Sequence, residues 1–266
     1  MKQLVLLLSA GLMAVSCVFH FGDGTYVGHC TEEGIDYSEI REVGPFNALT
    51  SSLPCKVYYV QADEQKVEVE STEEQAGKVL TKVENGTLHL KLAPGRYPTL
   101  ILRVTISSPD IERIQISGSG NLISRGVLHA GDDLDLKVSG SGSIFSEEID
   151  CKDLTAHCSG SGSLRFDKAS CSGFFASVSG SGAIIAQTVL ADGNASARVS
   201  GSGRIRLGFV DINGDMDLKT SGSGGITING SCHEVVATTN GSGSISGDLT
   251  HTGIRTHRSG SGHVNL

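Results

Sequence analysis

The chain of 266 residues has no tryptophan, five tyrosines and eight phenylalanines. So few large aromatics argue against a broad globular core and suit a thin, repetitive one. No basic run occurs and the formal net charge is −8, which argues against a nucleic-acid partner. The one marked apolar run, Leu4–Val15, is too short to cross a bilayer as a permanent helix. Signatures of catalysis are missing too. No Gly-x-Ser-x-Gly is framed by a strand and a helix, as a hydrolase elbow needs. The Gly-Ser-Gly phrases are not followed by a βαβ unit, as a dinucleotide loop needs. No Cys/His spacing matches a zinc site, and His251 and His257 read as exposed polar residues rather than a metal pair. On these grounds no catalytic residue, metal or cofactor is assigned.

Glycine, by contrast, is abundant at 35 residues. Much of it sits in one phrase, Ser-Gly-Ser-Gly, starting at Ser117, Ser139, Ser159, Ser179, Ser200, Ser221 and Ser259, with Asn-Gly-Ser-Gly at Asn240. The starts are separated by 22, 20, 20, 21, 21, 19 and 19 residues. A period near twenty is the mark of a solenoid, whose repeats each stack on the next. Five places after each start stands an aliphatic residue: Leu122, Ile144, Leu164, Ile184, Ile205, Ile226, Ile245 and Val264. The residue before the phrase is apolar in Ile116, Val138, Cys158, Val178 and Val199, then drifts to Thr220, Thr239 and Arg258. A third apolar region holds Leu134, Leu154, Phe174, Met216, Val235 and Ile254. Two glycines per phrase would weaken any helix, whereas a coil turning at the same place on every rung needs them. Runs such as Leu134–Val138 alternate apolar and polar, the strand pattern. The expected fold is all-β: a β-helix or β-solenoid of about seven rungs, each with two or three short strands.

Met1–Cys17 has the pattern of an export signal: Lys2, an apolar run, then Ala14-Val15-Ser16-Cys17. The ending resembles a bacterial lipobox, which would make Cys17 the lipidated residue and the membrane a partner through its acyl chains. The other reading is an ordinary signal peptide with an incidental cysteine. Val18–Glu42, without periodicity, is expected to be a tether. Residues 43–116 are expected to be a β-rich part continuous with the coil of residues 117–266. In it, Lys66–Glu70 alternates, Thr72–Lys78 is the one helical turn, and Asn85-Gly86 marks a hairpin.

Pro45-Phe46-Asn47-Ala48-Leu49, Val67–Glu70, Val83-Glu84-Asn85-Gly86-Thr87-Leu88 and the serial Ser-Gly-Ser-Gly phrases resemble the auto-transporter adhesin "head GIN" domain family of bacterial envelope proteins. The likeness spans about residues 40–266. It implies a β-helix-like fold at the cell envelope and an adhesive role, and it supplies no catalytic motif.

Six cysteines follow Cys17, an even number that permits disulfides in an exported chain. Cys151 and Cys171 each lie twelve residues after a phrase start, so they share a phase on adjacent rungs, either bridged or stacked as free thiols. A Cys30–Cys55 link rests on nearness in sequence alone. Two acidic groups, Asp132-Asp133-x-Asp135 and Glu147-Glu148-x-Asp150, are candidates for a cation, although they differ in phase; a solvated acidic face is the plainer reading. The leading expectation is a lipid-anchored, non-enzymatic envelope protein of the outer membrane, its face undecided. Its rigid coil would meet glycan or protein partners. The alternatives are a polysaccharide-lyase-like enzyme and a self-assembling structural module, a homo-oligomer built end to end.

Overall fold

A computed structural model describes residues 19–20 and 25–266. The export segment and Cys17 lie outside these described residues. The coil expected from the phrase is present. Each circuit contributes one strand to a wide sheet of 14 strands and one to a narrow sheet of 11. One circuit, for example, runs Ser163–Cys171 in the wide sheet and then Gly173–Gly180 in the narrow one. Equivalent strands stack in parallel from rung to rung, as Ile144↔Leu164↔Ile184↔Ile205 shows.

Two glycines per corner have two separate jobs. The first glycine of each phrase takes a left-handed backbone, with φ between 101° and 142° from Gly118 to Gly260. Its carbonyl then accepts from the rung that follows: Gly140 O receives Ser161 N at 2.9 Å and Gly162 N at 2.8 Å. The second glycine is a close approach. A Cβ on Gly182, Gly203 or Gly243 would stand 2.5–2.6 Å from the carbonyl oxygen or thiol of the rung beneath, inside van der Waals contact. The corner columns are therefore backbone packed on backbone, joined by main-chain hydrogen bonds. Among the described residues only one corner serine side chain is bonded, Ser117 Oγ accepting from Gln115 Nε2 at 2.8 Å.

Burial follows the expected columns. From Leu122 to Ile245 the aliphatic residue five places after each phrase start is at most 1 % exposed. In the wide sheet the alternation slips once per strand. Ile144 and Ser146 are buried, then Glu147 and Glu148 both lie out of the core, then Ile149 is buried. That slip is a second corner. It explains why the repeat length varies while the phrase does not. Pairing shifts by one residue between Ser124 and Val127, and again between Leu207 and Val210. The remaining variation lies in the connections between the sheets, where Ala191 and Ala195 enclose three residues and Cys171 and Phe174 enclose two.

The drift before the last phrases leaves a flaw. Thr220 and Thr239 are 0 % exposed, and neither hydroxyl has a hydrogen-bond partner. A buried unpaired hydroxyl is destabilising, and valine has nearly the same shape. Thr220→Val and Thr239→Val are therefore each expected to raise stability by about 1 kcal/mol in a chemical melt. A lowered midpoint would show that water or a rotated partner satisfies the hydroxyls.

The N-terminal part shares the core. Lys56–Gln61 pairs with Asn121–His129 in the wide sheet, and Ala48–Ser51 pairs with Arg113–Gly118 in the narrow one. Buried Leu49, Tyr59 and Leu100 belong to the same cluster as Leu164 and Phe174. The hairpin stands where expected, with Asn85 at φ 49° and Gly86 at φ 71° as its two turn residues. The helical turn is Glu73–Ala76, its N-terminus capped by Thr72 Oγ.

The tether expected over Val18–Glu42 is corrected by the structure in its described part. Tyr26–Thr31 pairs in parallel with Arg96–Ser108, and Tyr37–Ile40 pairs antiparallel with Lys66–Ser71. Cys30 is joined to Cys55 by a disulfide with Cα atoms 5.5 Å apart. Glu32 adds a polar clasp, accepting from Arg103 at 2.6 Å and from Tyr58 Oη at 2.8 Å. Burial acts to raise its pKa, but bonding to Arg103 and Tyr58 and the charges of Arg103 and Lys56 outweigh it, so the carboxyl is held below its ordinary value.

Candidate binding face

The coil's interior is filled, so its chemistry lies on the outward columns of the two sheets. The acidic candidates are outward, and the structure does not bring them together. Asp132 pairs with Lys152 at 3.3 Å, Asp135 with Arg113 at 3.4 Å, Glu148 with Lys168 at 2.6 Å, and Asp150 with His129 at 3.0 Å. Glu147 accepts from the Gly126 N–H at 2.7 Å. Asp133, with Asp132, Asp135, Glu112 and Arg113, lines a shallow depression of about 450 Å³. Among the described residues no three such side chains converge as metal ligands. Lys152, Arg113 and Lys168 each face one of these acids, the arrangement of a solvated surface.

Cys151 follows the paired residues Asp150↔Ser170, which puts it in one column with Cys171. No bridge joins them: both are free thiols, each 8 % exposed. Burial, with neighbouring carboxylates such as Asp153 adding to it, pushes both thiols up to about 12. The thiolate is the reactive form, so native protein at pH 8 is expected to take up iodoacetamide at Cys151 and Cys171 far more slowly than unfolded protein. Mass spectrometry after timed quenching measures this, and equal rates would contradict the burial. Cys158 is likewise inward, donating to Gly162 O at 3.1 Å.

The outer face of the narrow sheet was not singled out by the sequence. Its middle column, two places before each phrase, reads Lys137, His157, Ser177, Arg198, Lys219, Thr238 and His257 in unbroken register. It contains no carboxylate. Its signal is the phase of the repeat, two places before each phrase, with no recurring residue type. Lys137 does not line the depression that holds Asp132 and Asp133; the basic residue there is Arg113, already paired with Asp135.

The sequence signature described as "Putative auto-transporter adhesin, head GIN domain" matches residues 45–212 and 175–266. The chain belongs to this family. Membership suggests an exported envelope protein with a non-enzymatic role. Comparison with curated proteins finds no match. Among solved structures, a Parabacteroides merdae protein described as a putative adhesin has 20 % identity and a TM-score of 0.80, covering 89 % of this chain and 98 % of its own. A Parabacteroides distasonis putative adhesin has 19 % identity and a TM-score of 0.79, with 86 % and 95 % covered. A second P. distasonis protein, described as a putative lipid binding protein, has 21 % identity and a TM-score of 0.73, with 89 % and 99 % covered. At these identities the likeness establishes the shared fold.

Proposed function

We propose that this head GIN protein is a non-catalytic adhesin, exported, lipid-anchored at Cys17 on the outer membrane, and rigid enough to present its sheet faces to an extended partner. The observation that carries the reading is the continuous register of outward columns on a filled coil, which offers a long regular surface. The packed interior favours surface contact over uptake of a lipid. End-to-end self-assembly is disfavoured by Arg258, which stands in the column that Val178 and Val199 fill in earlier rungs. A charge there, beside Arg255 and His257 on the edge strand Gly253–Ser259, blunts edge pairing.

The test is the immobilised full chain screened against glycan and extracellular-protein arrays, where saturable retention of a partner is expected. Conversion of an acidic polysaccharide to unsaturated ends, abolished by replacing Asp132 and Asp133, would overturn the reading in favour of an enzyme. The anchor is tested separately: Cys17→Ser is expected to move the protein from the membrane to the soluble fraction, and unchanged fractionation would refute lipidation.

A further inference from the structure

The chain is acidic overall, with 29 Asp and Glu against 21 Lys and Arg. The middle column of the narrow sheet runs against that balance. From Lys137 through His157 and Ser177 to Arg198 and Lys219, each residue pairs in register with the next, and none is acidic. Two acids stand in the adjoining column, and both are already engaged: Asp217 by Arg198 at 2.8 Å, Asp135 by Arg113 at 3.4 Å. Lys137 and Lys219 have no carboxylate partner among the described residues. At about 4.8 Å per strand, the two ammonium groups stand on rungs roughly 19 Å apart along the coil.

We infer that this column binds a single extended chain of acidic polysaccharide, laid along the coil axis across the strands. The inference rests on the adhesin reading and names its ligand class and site. Three features select this occupant. The cationic track is one residue wide, which suits one extended strand rather than a nucleic-acid duplex, whose recognition calls for a concentrated basic patch. On one flank runs the hydroxyl column Ser139, Ser159, Ser179, Ser200 and Ser221, also in register, able to donate to and accept from sugar hydroxyls at every rung. On the other flank Phe175 is 42 % exposed, an apolar surface against which the face of a sugar ring can lie. Carboxylate-bearing and sulfate-bearing sugars share the required charge, and the experiment separates them.

The purified full chain is titrated with polygalacturonate, chondroitin sulfate, neutral dextran and single-stranded DNA of matched length, at low and high salt. The expected result is binding of an acidic polysaccharide, absent for dextran and weakened by salt. Lys137→Glu with Lys219→Glu is expected to weaken it at least about tenfold, about 1.4 kcal/mol. Arg165→Glu with Arg206→Glu, on the outer face of the opposite sheet, serves as the control for net charge and is expected to have a much smaller effect. Unchanged melting of both variants confirms that they fold. The inference is overturned if the two variants weaken binding equally, if DNA binds as tightly, or if no acidic polysaccharide binds. In that last case, an array partner retained by the same chain leaves the adhesin reading standing, and no retained partner removes both.

Discussion

Gly180→Ala and Gly203→Ala are each expected to destabilise the coil by about 3 kcal/mol or more. Gly180 holds φ at +113°, and a Cβ there would stand 2.7 Å from Gly160 O. L-residues adopt that backbone only under strain, and the nearest atom is main chain that cannot swing aside. Gly203 resists replacement for a different reason, since a Cβ there would lie 2.4 Å from Val178 Cγ1 and 2.6 Å from Gly182 O. Ser181 and Ser202 alternate with these glycines and are exposed. Ser181 contributes its backbone N–H to Gly160 O, which alanine keeps. Ser181→Ala and Ser202→Ala should therefore stay within about 0.5 kcal/mol of the parent. Because rungs of a solenoid can open separately, hydrogen exchange resolved by rung is the appropriate readout alongside a melt. The glycine variants should lose protection first in the rungs flanking the change. Equal tolerance of glycine and serine replacement would show that the corners are not close-packed.

Removing the Cys30–Cys55 disulfide with paired serines is the second large effect. The bridge spans 25 residues of sequence and ties the Tyr26–Thr31 strand to the start of Lys56–Gln61. Closing a loop of that length in the unfolded chain corresponds to about 3.5 kcal/mol on the chain-entropy account. The loss should be local. Residues 25–42 should gain exchange and protease sensitivity, while the rungs around Leu164 and Ile184 keep theirs. A uniform loss across all rungs would show that the N-terminal part and the coil unfold as one unit.

The coil was legible because its corners demand glycine at a fixed place and its interior demands one aliphatic residue per circuit. Both demands recur in the order of residues, so Leu122 to Ile245 could be found by counting. The asparagine–glycine hairpin was legible for the same reason, being a local rule with its own residue type. Other features depend on partners far away in sequence. Tyr26–Thr31 is a strand of mixed composition that becomes a strand by pairing with Arg96–Ser108 on one side and Phe19–His20 on the other. Nothing local marks it, and it was read as a tether. Cys30 meets Cys55 only through that pairing. The acidic groups show the reverse case. Their difference in phase was visible, and the structure accordingly gives Asp132 and Glu148 separate lysines, Lys152 and Lys168. The outward column of Lys137, His157, Ser177, Arg198 and Lys219 keeps its phase but not its residue type, so no repeat shows in the letters.

The account stands or falls on the rungs being stacked one strand spacing apart at the phrase corners. Spin labels attached to pairs of exposed corner positions, Ser141 with Ser181, Ser141 with Ser223, and Ser141 with Ser261, measure that directly by dipolar spectroscopy. The pairs are separated by two, four and six circuits. The account predicts distances rising in equal steps of roughly 10 Å, two strand spacings each. Distances that fail to rise with circuit number, or that spread as broadly as in a flexible chain, would contradict it.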